Sequence, residues 1–183
     1  MALVNSFDFE TTGLIVNRLR TLDKQPWAVE LYMEHIDTTS LTKVKEFQSH
    51  FKPGGKMEKG AASVTNLTDE MLLDKPLFAE KIDEIDSMLN EAEYMAGQNV
   101  MFDLSIMEFE YKRCGRELDL TGKRIIDTIE QTSYIFGYRP KLGDLYEQFF
   151  GKRFVDSHTA SADAVATSEI IIELIKRGDL IIG

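Results

Sequence analysis

The chain has 183 residues and a mass of 20.9 kDa, and its 21 basic and 31 acidic side chains give a net charge of −10. Hydrophobic residues at 43% and charged residues at 28% are ordinary globular values, which exclude a disordered chain. The acidic charge argues against a non-specific nucleic-acid coat protein, which needs a basic face. The length favours one domain, and we expect residues 1–183 to form it.

Three strands are predicted first, followed by helices that alternate with single strands. Runs of β-branched and aromatic residues bounded by turn residues predict strands at 2–9, 27–36, 45–52, 94–98 and 124–126. Apolar residues at helical spacing predict helices at 67–73, 78–91, 102–113, 129–136, 142–150 and 160–177. This order predicts an α/β fold with one mixed sheet, in which the first three strands are antiparallel and the later ones parallel.

The cysteine content and hydropathy favour a cytoplasmic protein. A single cysteine, Cys114, excludes an internal disulfide framework and fits a reducing compartment. No apolar run approaches the roughly 18 residues of a membrane span, so we expect no membrane partner. The first residues lack the basic region of a secretory signal. The sequence does not decide between a monomer and a homodimer.

The first predicted strand ends in the motif Phe-Asp-Phe-Glu-Thr-Thr-Gly-Leu. Because strand side chains alternate, Asp8 and Glu10 point to the same face. Two neighbouring carboxylates repel each other unless a cation lies between them. An Asp-x-Glu pair alone is more often a solvated strand end. Here the apolar neighbours and the following turn predict that both acids lie at the end of a buried strand, where open α/β sheets bind ligands.

Two further stretches supply acids and a histidine. In Gly-Gln-Asn-Val-Met-Phe-Asp a strand gives way to a helix that has Asp103 in its first turn. The alternative interpretation is that Asn99 or Asp103 only caps this helix. In His-Thr-Ala-Ser-Ala-Asp, His158 precedes the last helix and Asp163 lies within it. The surrounding small residues allow this helix to approach the sheet closely, where an unpaired aspartate is seldom accepted.

Together these residues match a two-metal hydrolase. The set comprises four carboxylates and one imidazole, from Asp8, Glu10, Asp103, Asp163 and His158. Oxygen ligands favour Mg²⁺ or Mn²⁺ over Zn²⁺. Two such ions activate a water and stabilise the leaving oxygen in phosphodiester hydrolysis. A histidine with an ordinary pKa of about 6.5 can accept the proton of that water.

The three motifs, in this order, resemble those of the DnaQ-like, DEDDh-type 3′–5′ exonucleases, a family that includes the epsilon subunit of bacterial DNA polymerase III, RNase T and oligoribonuclease. The resemblance covers nearly the whole chain. It implies an RNase H-like fold, with a five-stranded mixed sheet flanked by helices. It also implies that Asp8, Glu10, Asp103 and Asp163 hold two Mg²⁺ or Mn²⁺ ions and that His158 is the general base.

The resemblance further implies that the 3′-terminal nucleotide is held by Thr11, Thr12, Leu14 and Asn99. The implied function is metal-dependent release of 5′-mononucleotides from the 3′ ends of DNA, single-stranded or frayed. Two alternatives stay open, an exoribonuclease and a non-catalytic nucleic-acid-binding module on the same fold. An association with a DNA polymerase also stays open. One departure from the family is that the polar Asn5 and Ser6 stand in the first strand, which predicts a looser strand.

The acidic charge is concentrated in the middle of the chain. Residues 61–122 carry 14 acidic and 5 basic side chains, whereas the segments before and after are nearly neutral. The candidate phosphate contacts therefore lie outside this segment: Arg18, Arg20, Arg139, Lys141, Lys152 and Arg153. This distribution favours binding of a few terminal nucleotides through metal ions over tight binding of long nucleic acid.

Overall fold

The computed structural model describes residues 2–17, 21–154 and 159–182. Its strands are β1 (Leu3–Thr11), β2 (Ala28–Asp37), β3 (Thr42–His50), β4 (Tyr94–Gly97) and β5 (Arg124–Asp127). Its α-helices are α1 (Lys59–Thr65), α2 (Asp69–Leu72), α3 (Phe78–Glu91), α4 (Val100–Arg113), α5 (Thr128–Phe136), α6 (Leu142–Phe150) and α7 (Ala160–Arg177). Within these residues, no helix is both long enough and apolar enough to span a membrane.

The five strands form one mixed sheet in the order β3-β2-β1-β4-β5. β2 runs antiparallel to β1 and β3, whereas β4 runs parallel to both β1 and β5. The turn from β2 to β3 is short, as antiparallel pairing permits, and the parallel pairs are joined through helices. The sheet confirms the predicted α/β class and the RNase H-like arrangement with an antiparallel second strand.

Side chains that alternate along β1 contact different helices on the two faces of the sheet. Phe7 and Phe9 belong to the largest apolar cluster, together with buried residues of α3 and α4. The even-numbered residues of β1 therefore face the other side of the sheet, where α7 packs. Ala160 and Ala164 of α7 lie against Tyr32 of β2. Their small side chains allow the close approach that the sequence predicts for this helix.

Two buried polar residues of β1 fix its neighbours instead of loosening the strand. Asn5 and Ser6 are both fully buried. The hydroxyl of Ser6 donates to the carbonyl of Ala164 at 3.1 Å, and the amide of Asn5 lies 4.0 Å from the sulfur of Met95. The polar side chains therefore connect β1 to α7 and to β4, which the apolar pattern alone does not reveal.

Most predicted elements are confirmed, and the differences lie where polar or small residues hide the pattern. Helices α3, α6 and α7 have the predicted bounds, and the Thr68 hydroxyl caps α2 by accepting the N–H of Met71. α1 was not predicted, because Gly60 and its alanine neighbours show no apolar periodicity. β1 extends to Thr11, two residues beyond its predicted end, so that Glu10 lies within the paired strand.

A buried ion pair on α4 holds the segment that leads into β2. The carboxylate of Glu110 and the guanidinium of Arg113 are 2.7 Å apart, and their side chains are only 3% and 8% exposed. Glu110 also accepts the N–H of Ala28 at 2.9 Å. Arg113 donates to three carbonyl oxygens, each at 3.0 Å, from Leu22, Gln25 and Pro26. The pair thereby closes the end of the connection between β1 and β2.

Removing the cation of this pair should destabilise the fold strongly. We expect Arg113→Ala to lower the free energy of unfolding by about 3 kcal/mol or more, because Glu110 is left buried and unpaired. Urea denaturation measures the change. Lys112→Ala is the matched control, since its pair with Glu108 is exposed and contributes less than about 1 kcal/mol. Equal losses in the two variants would contradict this role for Arg113.

Candidate active site

Three carboxylates meet at the C-terminal end of β1. Asp8 and Glu10 project from the same face of the strand, and Asp163 enters from the first turn of α7. One carboxylate oxygen of each lies within 4.8 Å of the other two, which is close enough to share a metal ion. All three residues are partly buried. Hard oxygen ligands in this arrangement suit a divalent cation such as Mg²⁺ or Mn²⁺.

Asp103 reaches the same strand end from α4. It lies in the first turn of that helix and is 3% exposed. Its Oδ1 accepts the backbone N–H of Phe9, at 3.0 Å. Because Phe9 stands between Asp8 and Glu10, this bond holds the fourth predicted carboxylate beside the first two. The structure thus brings three of the four predicted acids within 4.8 Å of one another and places Asp103 beside them, bonded to the same strand.

Burial and mutual repulsion raise the pKa values of these acids. Burial, followed by repulsion from Asp103 and Asp163, raises the pKa of Asp8 well above its usual range. Burial, followed by repulsion from Asp163 and Glu30, raises the pKa of Glu10 to about 7. The pKa of Asp103 rises to about 8, again chiefly through burial, although backbone hydrogen bonds oppose the rise. A divalent cation would relieve this accumulated negative charge.

Glu30 is a further buried carboxylate at the site that the motifs do not predict. It lies on β2, directly opposite Glu10, and is 4% exposed. Its Oε2 accepts the N–H of Ala160, the first residue of α7, at 3.3 Å, and its Oε1 accepts the side-chain amide of Gln48 at 2.9 Å. Glu30 therefore ties β2 to the end of α7 that carries a proposed ligand. The only sequence signal was an acid inside an apolar strand.

A pocket of about 400 Å³ adjoins Glu10, and the 77% exposed side chain of Leu14 forms one wall. Other lining residues are mostly apolar, among them Phe9, Ala61, Val64 and Phe102. The hydroxyl of Thr11 donates to the carbonyl of Gly13 at 2.6 Å. The hydroxyl of Thr12 accepts the N–H of Trp27 at 2.9 Å. Both threonine hydroxyls thus shape the turn that forms the pocket wall.

The remaining two predicted residues can be placed to different extents. His158 lies outside the described residues, so its assignment as the general base stays a prediction. Asn99 begins α4 with a left-handed backbone, φ 60°, and its side chain does not cap the helix. Its N–H donates to Asp127 at 3.0 Å, and its Oδ1 accepts from Arg139 at 3.4 Å. Asn99 therefore lies one helical turn before Asp103, on the rim of the carboxylate site.

Comparison with known proteins identifies the class of this domain. The RNase T family model, described as an exonuclease, matches residues 6–171. The fold and the carboxylate cluster agree with that description. The chain therefore belongs to the RNase T family of exonucleases, which confirms the predicted DnaQ-like 3′–5′ exonuclease class.

The curated relatives match nearly all of this chain but are much longer proteins. PolC-type DNA polymerase III of Staphylococcus aureus is 27% identical over 172 residues, which are 93% of this chain and 11% of that protein. The chain thus spans about one ninth of the length of the curated relatives it matches.

Solved structures establish the fold independently. The nuclease domain of 3′hExo, a DEDDh family member bound to rAMP, has a TM-score of 0.78 at 13% identity and covers 99% of this chain and 96% of its own. A 3′-exonuclease recognising the 3′ end of a histone mRNA stem-loop has a TM-score of 0.75 at 14% identity, with 96% and 82% covered. Exonuclease I has a TM-score of 0.77 at 16% identity, with 96% and 41% covered.

The raised pKa values predict a pH dependence for the metal-free protein. The pKa of Glu10 is about 7 in the folded state against an ordinary 4.5, and that of Asp103 is about 8 against 3.8. The folded protein therefore binds more protons than the unfolded chain between these values. The contribution of these two acids to the free energy of unfolding is fully present below their ordinary pKa values. It should be lost as the pH rises from about 5 to about 8. Urea denaturation in EDTA measures this loss.

Two comparisons make this pH experiment decisive. Glu10→Gln should flatten the profile near pH 7, whereas Glu117→Gln, which changes an exposed glutamate, should leave it unaltered. Mn²⁺ added at pH 8 should restore stability to the wild type, because it binds only the folded carboxylate cluster. If the wild type and Glu10→Gln lose stability with the same slope, repulsion at the cluster is not its cause.

Glu30→Ala should weaken metal binding, because it frees the end of α7 from β2. We expect the Mn²⁺ concentration at half-maximal thermal stabilisation to rise by about 10- to 100-fold, as for other residues that orient metal ligands. Glu30→Gln keeps an oxygen that accepts the N–H of Ala160, so its affinity for Mn²⁺ should fall less. Glu34→Ala is the control, because Glu34 is equally buried on β2 and bonds Tyr32. Glu34→Ala should lower the thermal stability without changing the Mn²⁺ concentration at half-maximal stabilisation. If both variants raise that concentration equally, Glu30 does not position the metal ligands.

Proposed function

We propose that this chain hydrolyses phosphodiester bonds at the 3′ end of single-stranded or frayed DNA and releases 5′-mononucleotides. The observation that carries the proposal is the approach of Asp8, Glu10 and Asp163 to within 4.8 Å, with Asp103 bonded to the same strand. The four acids come from three separately anchored elements, β1, α4 and α7, so the cluster is preformed. Clusters of this kind serve phosphoryl chemistry that depends on two divalent ions.

The four carboxylates would hold two Mg²⁺ or Mn²⁺ ions, which supply water activation and charge neutralisation at the phosphate. The chain itself positions the reactants. β1 and the bond from Phe9 to Asp103 fix the ligand geometry. His158 would accept the proton of the attacking water at neutral pH. The bond between phosphorus and the 3′ oxygen of the preceding nucleotide breaks, which leaves the phosphate on the released mononucleotide.

The pocket beside Glu10 would receive the terminal nucleotide. Its wall of Leu14, Val64 and Phe102 suits the flat, apolar face of a base. Stacking on such a wall tolerates every base, because each has a similar face. The terminal phosphate would then lie at the carboxylate cluster. This arrangement supports removal of nucleotides without regard to sequence.

The relatives support two substrate classes, and we rank DNA first. The sequence relatives are named as DNA polymerases and match 93% of this chain at 27% identity. Two structural neighbours at 13% and 14% identity are described with rAMP or a histone mRNA, which supports an exoribonuclease as the second candidate. The names of the sequence relatives also support an association with a DNA polymerase.

Two further assignments belong to the same proposal, and the oligomeric state stays open. We assign residues 1–183 to a single exonuclease domain. We place the protein in the cytoplasm, where its one cysteine, Cys114, stays reduced. Light scattering would decide between a monomer and a homodimer.

Asp8→Asn should abolish nucleotide release. We expect the rate on a 5′-labelled DNA oligonucleotide with Mg²⁺ or Mn²⁺ to fall by more than about 100-fold, because even residues that only orient a metal ligand contribute 10- to 100-fold. Gel analysis of the shortened products measures the rate. Asp119→Asn changes an exposed aspartate in the connection to β5 and should behave as wild type. An unaltered rate in Asp8→Asn would overturn the assignment of this site.

The same assay on matched RNA separates the candidate functions. Faster shortening of DNA supports the leading proposal, and faster shortening of RNA would reverse the ranking. Binding of either strand without shortening, in both metals, would favour the non-catalytic module. A 3′-labelled strand should release labelled mononucleotide in the first turnover, and release of longer fragments would contradict an exonuclease.

A further inference from the structure

The loop between α5 and α6 lies on the rim of the carboxylate site. The side-chain amide of Gln98 donates to the carbonyl of Pro140 at 3.0 Å, and the guanidinium of Arg139 donates to Asn99 at 3.4 Å. Gln98 and Asn99 join β4 to α4. Asp103 follows Asn99 by four residues, about 6 Å along the helix axis. The loop is therefore held next to the acids without supplying a ligand to the cluster.

This loop presents an aromatic ring and two cations to solvent. Tyr138 is 57% exposed, and an edge contact with Phe136, at 5.6 Å between ring centroids, supports its ring. Arg139 and Lys141 are both exposed beside it. Residues 131–154 carry four basic and two acidic side chains in a chain whose net charge is −10. The loop thus combines a stacking surface with positive charge.

The two cations of the loop have no acidic partner within the described parts of the chain. The ion pairs found there engage other basic residues, for example Lys45 with Glu91 and Arg116 with Asp83. Among the described residues, the guanidinium of Arg139 donates a hydrogen bond only to a neutral amide oxygen, that of Asn99. Positive charge that is not neutralised by a neighbouring carboxylate remains available to a phosphate. Proteins that bind single-stranded nucleic acid commonly combine such positive charge with exposed aromatic rings.

We propose that Tyr138, Arg139 and Lys141 form a binding track for the nucleotides on the 5′ side of the scissile phosphate. The inference rests on the proposed function, which puts the terminal nucleotide in the pocket beside Glu10. The cations bind phosphodiester groups and the ring of Tyr138 stacks on a base.

The test compares a substrate that reaches the track with one that does not. Single-stranded DNA of eight nucleotides spans both regions, whereas the p-nitrophenyl ester of thymidine 5′-monophosphate occupies only the terminal site. We expect Arg139→Gln to lower the ratio of kcat/KM for the octamer to kcat/KM for the ester by about tenfold, as expected for a lost hydrogen bond to a charged group. The slope of log KM for the octamer against log salt should become shallower by about 0.7.

Further variants separate stacking and charge from damage to the fold. Tyr138→Ala should lower the same ratio by about tenfold, and Tyr138→Phe should restore it, because the ring and not the hydroxyl stacks. Lys176→Gln is the matched control. Lys176 is an exposed lysine near the far end of α7, about 24 Å from Ala160 along the helix. Its ratio and salt slope should equal those of the wild type.

Each outcome bears on the track separately from the proposed function. A ratio that stays constant in Arg139→Gln and Tyr138→Ala overturns the track while leaving the exonuclease intact. A wild-type protein that cleaves neither substrate contradicts the proposed function instead. In that case fluorescence anisotropy with a labelled octamer still tests the track, since Arg139→Gln must bind more weakly than Lys176→Gln. Equal binding by these two variants would refute it.

Discussion

Repulsion among carboxylates at the C-terminal end of β1 is the constraint that the surrounding structure must satisfy. Asp8, Glu10 and Asp163 approach within 4.8 Å while partly buried, and Asp103 is almost fully buried beside them. Without a cation such an arrangement is unfavourable. The acids cannot relax apart, because β1, α4 and α7 are each anchored in the apolar core. The fold thus keeps a high negative charge density where a divalent cation can neutralise it.

Polar contacts across the sheet carry out this positioning. Asp103 accepts the N–H of Phe9 in the middle of the acid pair, and the hydroxyl of Ser6 reaches the backbone of α7. Glu30 adds a third connection, from β2 to the N–H of Ala160. Each bond contributes only about 1 kcal/mol to stability. Together they fix the rotation and the height of both ligand-bearing helices relative to β1, which apolar packing alone would leave less defined.

The sequence predicts what depends on local periodicity and misses what depends on contacts between distant elements. Alternation places Asp8 and Glu10 on one face, and helical spacing gives the bounds of α3 and α7. The role of Glu30 depends on the approach of α7 to β2, which no local pattern encodes. Ser6 suggested a loose strand for the same reason, since its partner lies 158 residues away. The four acids were proposed as ligands because their motifs stand in the order that the family resemblance gives, and the structure places three of them within 4.8 Å of one another.

An acidic chain can act on a polyanion if attraction is confined to one place. Residues 61–122 hold 14 acidic side chains, which oppose binding of a long strand across that part of the surface. Under the proposed function, attraction comes from metal ions at the cluster and from the cations of the α5–α6 loop, which have no acidic partner among the described residues. The loop contacts Asn99, which precedes Asp103 by about one turn of α4. A strand gains this attraction only when its end occupies the pocket beside Glu10, so the charge distribution itself favours a terminus over an internal position.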